Sequence, residues 1–221
     1  MGRGAKPKEK VKIEWSPKFA YAIGLITTDG NLSSDGRHIN FTSKDKELVE
    51  LFVGSLHLQN KIGRKAREHS SNKKYFVVQF GDVIFYKFLI HIGVTANKSK
   101  ILKEVKIPNT YFFDFLRGHF DGDGTFYSYW DPRWRSSYMF YTVFISASKD
   151  HILWLRKAIR SFLEVEGHIT KSINSLVYQL KYAKEESLKL LPCMYYNSDV
   201  VCLSRKRVKI ERALKLINKK L

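Results

Sequence analysis

Two short segments of this chain carry carboxylates where a helix is due to stop. Ala22-Ile23-Gly24-Leu25-Ile26-Thr27-Thr28-Asp29-Gly30 and Leu116-Arg117-Gly118-His119-Phe120-Asp121-Gly122-Asp123-Gly124 each run from an apolar stretch into an Asp-Gly pair. A helix C-terminus leaves its last carbonyls unpaired and is the negative end of the helix dipole, so a carboxylate there is electrostatically misplaced. Glycine after it predicts a left-handed cap. Two such ends side by side would make a pocket of carboxylate and carbonyl oxygens, which suits a hard divalent cation. Asp121-Gly122-Asp123-Gly124-Thr125 is not a calcium loop, because Phe126 stands where that loop needs Gly and Pro132 where it needs Glu.

The apolar stretches ahead of these carboxylates must position them. Ser16-Pro17 sits where an N-cap and a first helical residue belong. Phe19, Ala20, Ile23, Leu25 and Ile26 then give a helix apolar on most sides, predicting burial between two partners. Asn31 to Thr42 reads as a hairpin turning at Asp35-Gly36. A helix from about Lys46 to Leu58 follows, then a hairpin with Ser70-Ser71-Asn72 at its tip. A short helix over Ile84 to Ile92 closes an αββαββα unit and leads to the basic Asn97-Lys98.

Pro108-Asn109 marks the passage to a second unit, with a helix over Tyr111 to Phe120, a hairpin over Thr125 to Ala147, and helices over His151 to Leu163 and Arg205 to Asn218. A Ser-Lys-Asp recurs in both halves, beginning 14 residues after Asp29 but 25 after Asp123. The excess falls within Tyr127 to Tyr141, rich in Tyr, Trp and Arg, and predicts a hairpin reaching beyond the shared scaffold. The division expected is a basic arm over 1–14, a first subdomain over 15–107, a linker over 108–113 and a second subdomain over 114–221.

Composition narrows the class. A net charge of +18 opposes compaction by self-repulsion, and a polyanionic partner is the usual reason for it. Apolar residues at 44% and aromatics at 14% argue for a folded core and against a disordered basic tail. Cys193 and Cys202 have no further ligands at metal spacing and read as free thiols in a reducing compartment. No apolar run has membrane-spanning length, and the N-terminus shows no secretion signal. An intracellular protein is expected, in bacterial or archaeal cytoplasm or an organelle, with no membrane and no required protein partner.

The two segments resemble the LAGLIDADG motif of homing endonucleases. The downstream order supports this: Ser43-Lys44-Asp45 and Ser148-Lys149-Asp150 each open an amphipathic stretch, followed by Gly63 and Gly167, then by alternating β-like residues. Each half closes on a basic element, Asn97-Lys98-Ser99-Lys100 or Leu203-Ser204-Arg205-Lys206-Arg207. The similarity spans roughly residues 15 to 218 and matches the single-chain, two-repeat, monomeric type. It implies an α+β fold of two pseudo-symmetric αββαββα subdomains packed through the motif helices, with a saddle of antiparallel strands facing DNA.

The resemblance also assigns roles. Gly24 and Gly118 allow the motif helices to approach, and Asp29 and Asp123 meet at the bottom of their interface as metal ligands and catalytic groups. Backbone carbonyls of Thr28 and Gly122 complete the shell of two or three divalent ions, Mg²⁺ above all, with Mn²⁺ or Ca²⁺ able to occupy the same sites. Lys98 and Lys206 stand where the family places a basic residue near each scissile phosphate. Ser43 and Ser148 match a pocket position but are equally placed as helix caps. Thr27 replaces the acidic residue common in the family, while Asp121 keeps it; His119 reads as packing.

Two-stranded ribbons fit the major groove, where Arg, Lys, Asn and Gln read base edges. Candidates in the first half are Asn31, Ser33, Arg37, Asn40, Arg64, Arg67, Lys73 and Gln79. In the second half they are Tyr127, Tyr129, Arg133, Arg135, Lys171, Asn174, Gln179 and Lys181; Arg133 and Arg135 share parity on an extended strand. Alternation allows only one face of each strand to touch DNA. The function implied is metal-dependent hydrolysis of double-stranded DNA at a long, weakly palindromic site, leaving short 3′ overhangs, by an intron- or intein-associated enzyme. The alternatives are an RNA maturase acting on a host intron, or a DNA-binding transcription regulator with the same fold.

Overall fold

The computed structural model describes residues 9–66, 74–134, 136–172 and 176–221. The first half runs α1 (Pro17–Asp29), β1 (Gly30–Leu32), β2 (His38–Ser43), α2 (Lys46–Ser55), β3 (Gly63–Lys65), β4 (Tyr75–Gly81) and α3 (Val83–His91). The second runs α4 (Phe112–Asp123), β5 (Thr125–Trp130), β6 (Tyr138–Ser146), α5 (Lys149–Leu163), β7 (His168–Lys171), β8 (Tyr178–Tyr182), α6 (Lys184–Met194) and α7 (Ser204–Lys215). Each half forms an antiparallel sheet, ordered β1-β2-β4-β3 and β5-β6-β8-β7. This is the α+β architecture of paired subdomains that the repeat implied.

Local signals explain most boundaries. The Ser16 hydroxyl accepts from the Phe19 N–H at 3.2 Å, and Pro17 is the first residue of α1. The first hairpin turns at Gly36, whose φ of 73° glycine tolerates. The longer second hairpin pairs Thr125 through Trp130 with Val143 through Tyr138, twice the length of the β1–β2 pairing. α1 and α4 form the spine between the halves, and both are buried along nearly their whole length. A Cβ on Gly24 would lie 2.1 Å from the Phe115 carbonyl oxygen, and one on Gly118 would lie 2.0 Å from the Tyr21 oxygen. The two backbones touch there.

Several expectations are corrected. Gly30 and Gly124 are extended, with ψ of 148° and 164°, not left-handed, because the chain leaves each motif helix straight into a strand. The basic arm is anchored before its expected end: the Lys10 and Val11 N–H groups donate to Asp82 at 2.7 and 3.0 Å, and the Val11 side chain is buried. α2 stops at Ser55, short of Leu58, as His57 adopts φ 52°. Ser148 caps α5 by accepting from the His151 N–H, whereas Ser43 accepts from Asp45 and leaves the α2 N-cap to Asp45. α6 is not foretold by the sequence, because Pro192 and its charged first turn hide its periodicity. The hairpin tip expected at Ser70-Ser71-Asn72 lies outside the described residues.

Candidate metal centre and nucleic-acid interface

α1 and α4 end side by side. A Cβ on Gly122 would fall 1.9 Å from the Thr28 hydroxyl, so the last turns meet at these two positions. One residue further on, Asp29 is half-buried and Asp123 sits more openly at the lip. Among the described residues, no protein donor or cation is within bonding distance of either carboxylate. The Asp29 carboxyl is pushed up to about 7, first by burial and next by the charge of Asp123, against the pull of Lys206 and Lys98. Asp123 is raised as well, by loss of water around it, with the two lysines pulling the other way.

Neither motif helix has a basic residue in its last turn. Lysines from distant segments take that place, neutralising the negative helix ends. Lys98, 5% exposed in a 3-10 turn (Lys98–Lys100), donates to the Gly30 carbonyl. Lys206, 7% exposed in the first turn of α7, donates to the carbonyls of Gly124 at 2.6 Å and Asp121 at 3.0 Å, and also to that of Phe120. Gly30 and Gly124 are the matching positions of the two repeats, so the lysines are related by the pseudo-twofold. Burial brings both ammonium groups down to about 8, while the nearby aspartates hold them up. The neighbouring cations do not share this place: Lys100 is exposed, and Arg205 pairs with Asp45 at 2.7 Å.

A carboxyl raised above its unfolded value binds its proton more tightly in the folded chain. Its contribution to stability is therefore present at acid pH and is lost as pH rises towards 7. In chelator, Asp29→Asn is expected to raise Tm at pH 8, by roughly 2–4 °C for each kcal/mol relieved, and to change it little at pH 4. Melting curves at both pH values check this; a lower Tm at pH 8 would mean that the carboxylate has a protein partner.

The arrangement fits a hard cation. Two carboxylates with no protein partner among the described residues stand where the motif helices end side by side, close enough for each charge to affect the other, and Mg²⁺ is commonly held by one or two carboxylates with water and substrate phosphates completing the shell. Among the described residues no three of His, Cys, Asp and Glu cluster, so no all-protein cage of such side chains competes with this placement.

Strand register sorts the nucleic-acid candidates. Helices cover the face bearing Leu32, Ile39, Phe41, Val78 and Phe80, leaving Asn31, Asn40 and Gln79 on the open face, where Asn40 pairs in register with both of the others. In the second half Phe126, Phe140, Phe144 and Leu180 are covered, and Tyr127, Tyr129, Gln179 and Lys181 lie on the open face. Tyr127 stacks on Tyr141 at 5.1 Å, and Tyr129 continues the ladder. Ser33 and Arg37 flank the first turn, with Arg37 exposed.

Arg64 and Lys171 are exposed on edge strands, but register sets them with the other face. Their register partners, Phe76 and Tyr178, belong to the helix-covered face, and each cation rests over its partner's ring, at 4.9 and 5.7 Å. Arg133 is not on a strand: residues 131–134 turn, and its guanidinium folds back onto Asp131 at 3.2 Å. The parity argument for Arg133 and Arg135 therefore fails. Arg67, Lys73, Arg135 and Asn174 lie outside the described residues. The residue that sequence reasoning undervalued is Asp121, fully buried and bonded across the subdomain interface. His119 is buried beside His151, its ring 5.1 Å away, and burial holds it well below its usual pKa, as befits packing. Cys193 and Cys202 are free and half-buried. Among the described residues no helix is long and apolar enough to cross a membrane.

No family model matches the sequence, and no curated protein matches it. Solved structures do resemble the fold. The homing endonuclease I-SmaMI, bound to uncleaveable DNA, superposes with a TM-score of 0.60 at 14% identity, covering 92% of this chain and 93% of that one. Variants of the homing endonuclease I-DmoI give 0.54 at 14% identity over 82% and 96%. The N-terminal LAGLIDADG domain of DUF199/WhiA gives 0.55 at 18% identity over 90% and 88%. The chain has the two-subdomain LAGLIDADG fold.

Proposed function

We propose that this protein is a metal-dependent, site-specific double-stranded DNA endonuclease of the homing type, acting as a monomer. The observation that carries the reading is the pair of carboxylates free of protein partners among the described residues, flanked by symmetry-related buried lysines, between two open sheet faces of a chain of net charge +18. Asp29 and Asp123, with the carbonyls of Thr28 and Gly122, would hold the divalent ions, Mg²⁺ first. A bound ion supplies an activated water and charge to stabilise the leaving 3′-oxygen. Lys98 and Lys206, fixed by the carbonyls at each helix end, place positive charge where the scissile phosphates gain negative charge. The pseudo-twofold provides one such set for each strand, hence a double-strand break with short 3′ overhangs.

Asn31, Asn40 and Gln79 would read bases in one half-site, and Tyr127, Tyr129, Gln179 and Lys181 in the other. The endonuclease neighbours support this reading; one, I-SmaMI, is described bound to an uncleaved target with calcium ions. The WhiA domain shares the fold without being named an endonuclease, and the rivals of this reading are a DNA-binding regulator that cuts nothing and a maturase acting on intron RNA. Linearisation of a plasmid carrying the site, dependent on Mg²⁺ and abolished by chelator, separates them. Affinity is expected to fall with salt with a log–log slope of roughly −7 to −9, for about 8 to 10 phosphates neutralised. A slope near about −2 would remove the basic surface from the interface.

A further inference from the structure

We propose that Asp121 is the positioning residue of Lys206, and that this brace makes the two half-centres unequal. The inference rests on the endonuclease reading above.

Asp121 has no exposed surface. Its Oδ2 accepts two hydrogen bonds from remote parts of the chain: the Tyr21 hydroxyl of α1 at 2.9 Å and the Leu203 N–H at 2.7 Å. Leu203 is the N-cap of α7, whose own side chain supplies no cap. A carboxylate at that helix start is favoured by the dipole and fixes where the helix begins. Lys206 lies one turn later, and its ammonium returns to the Phe120, Asp121 and Gly124 carbonyls. The side chain of Asp121 thus holds the helix that carries Lys206, while its main chain holds the lysine itself. Tyr21 ties the same carboxylate to the opposite motif helix.

Among its described residues the first half shows no such device. Thr27 occupies the motif position matching Asp121, and its hydroxyl bonds back to Gly24 at 2.6 Å within its own helix. Lys98 sits in a single 3-10 turn and reaches one carbonyl, that of Gly30. Removing the Asp121 carboxylate therefore loosens one lysine of the pair.

The test is strand-resolved cleavage by the full-length protein in Mg²⁺, with each DNA strand labelled separately. Lys206→Met identifies the strand that Lys206 serves. Asp121→Asn, nearly isosteric, is expected to slow the same strand by about tenfold or more, as removal of an orienting partner does, so that nicked product accumulates. The other strand and the DNA affinity are expected to stay within about twofold. In the Lys206→Met background Asp121→Asn is expected to add no further loss on that strand, a non-additivity that mere destabilisation does not produce. Equal slowing of both strands, or full additivity with Lys206→Met, overturns the proposal. If Asp121→Asn is not recovered folded, Tyr21→Phe decides: a bias against the same strand supports the brace, and equal rates overturn it. A wild-type protein that cuts neither strand sinks the endonuclease reading and the brace together. A wild type that cuts both strands, with unbiased variants, sinks the brace alone.

Discussion

Asp29→Asn and Asp123→Asn are each expected to abolish double-strand cleavage while leaving DNA affinity nearly intact. Asp29 and Asp123 are the last residues of α1 and α4, and among the described residues neither carboxylate has a protein partner to satisfy it. Asn keeps the shape but removes the charge that a divalent ion requires. A metal ion contributes several kcal/mol of transition-state stabilisation, so the loss is on the order of 10³-fold or more in rate. Affinity for DNA is expected to come mainly from phosphate contacts on the basic surface, which the substitutions do not touch. Cleavage rates in Mg²⁺ beside a DNA titration check both halves of the expectation. Residual nicking of one strand by a single variant is compatible with two pseudo-symmetric centres; wild-type cleavage by either variant is not.

The largest expected loss of stability comes from a single methyl group. A Cβ on Gly118 would stand 2.0 Å from the Tyr21 carbonyl oxygen and 3.2 Å from the Gly24 Cα. These are backbone atoms in the middle of a buried helix, so neither can swing aside; the helices must separate. Overpacking costs about 1–3 kcal/mol in ordinary cores, and a backbone clash at the spine belongs at or above the top of that range. Gly118→Ala is expected to lower Tm by roughly 6–12 °C and to weaken cleavage, since the carboxylates ride on the same helices. Gly54→Ala is the control: it is helical, nothing lies within 4 Å of its Cβ position, and a gain of about 0.5–1 kcal/mol is expected. Equal melting temperatures for Gly118→Ala and wild type would contradict the close approach.

What the sequence revealed was local or repeated. Ser16-Pro17 marks the start of α1 because capping and proline chemistry act within one turn. The matched motifs expose the paired helix ends because two copies share one architectural problem. The extra residues after Asp123 foretell the longer β5–β6 hairpin by arithmetic alone. What escaped depended on contacts far along the chain. Asp121 looked like one more motif letter, yet its partners Tyr21 and Leu203 lie 100 and 82 residues away. Strand alternation halves the list of candidate DNA contacts but does not say which half faces outward; only register with Phe76 and Tyr178 sets Arg64 and Lys171 apart from the open face. Val11 could not be separated from a free basic arm without Asp82, another remote partner.

The most direct test begins with the full-length protein and a randomised duplex library, from which bound DNA is selected in Ca²⁺ and sequenced. The selected duplex, labelled on both strands, is then given Mg²⁺. The expected result is one break in each strand, offset to leave short 3′ overhangs, with chelator and the Asp29→Asn, Asp123→Asn double substitution each preventing both breaks. Tight, sequence-selective binding with neither strand broken in Mg²⁺ or Mn²⁺ would contradict it, leaving a DNA-binding protein that uses this fold without cutting.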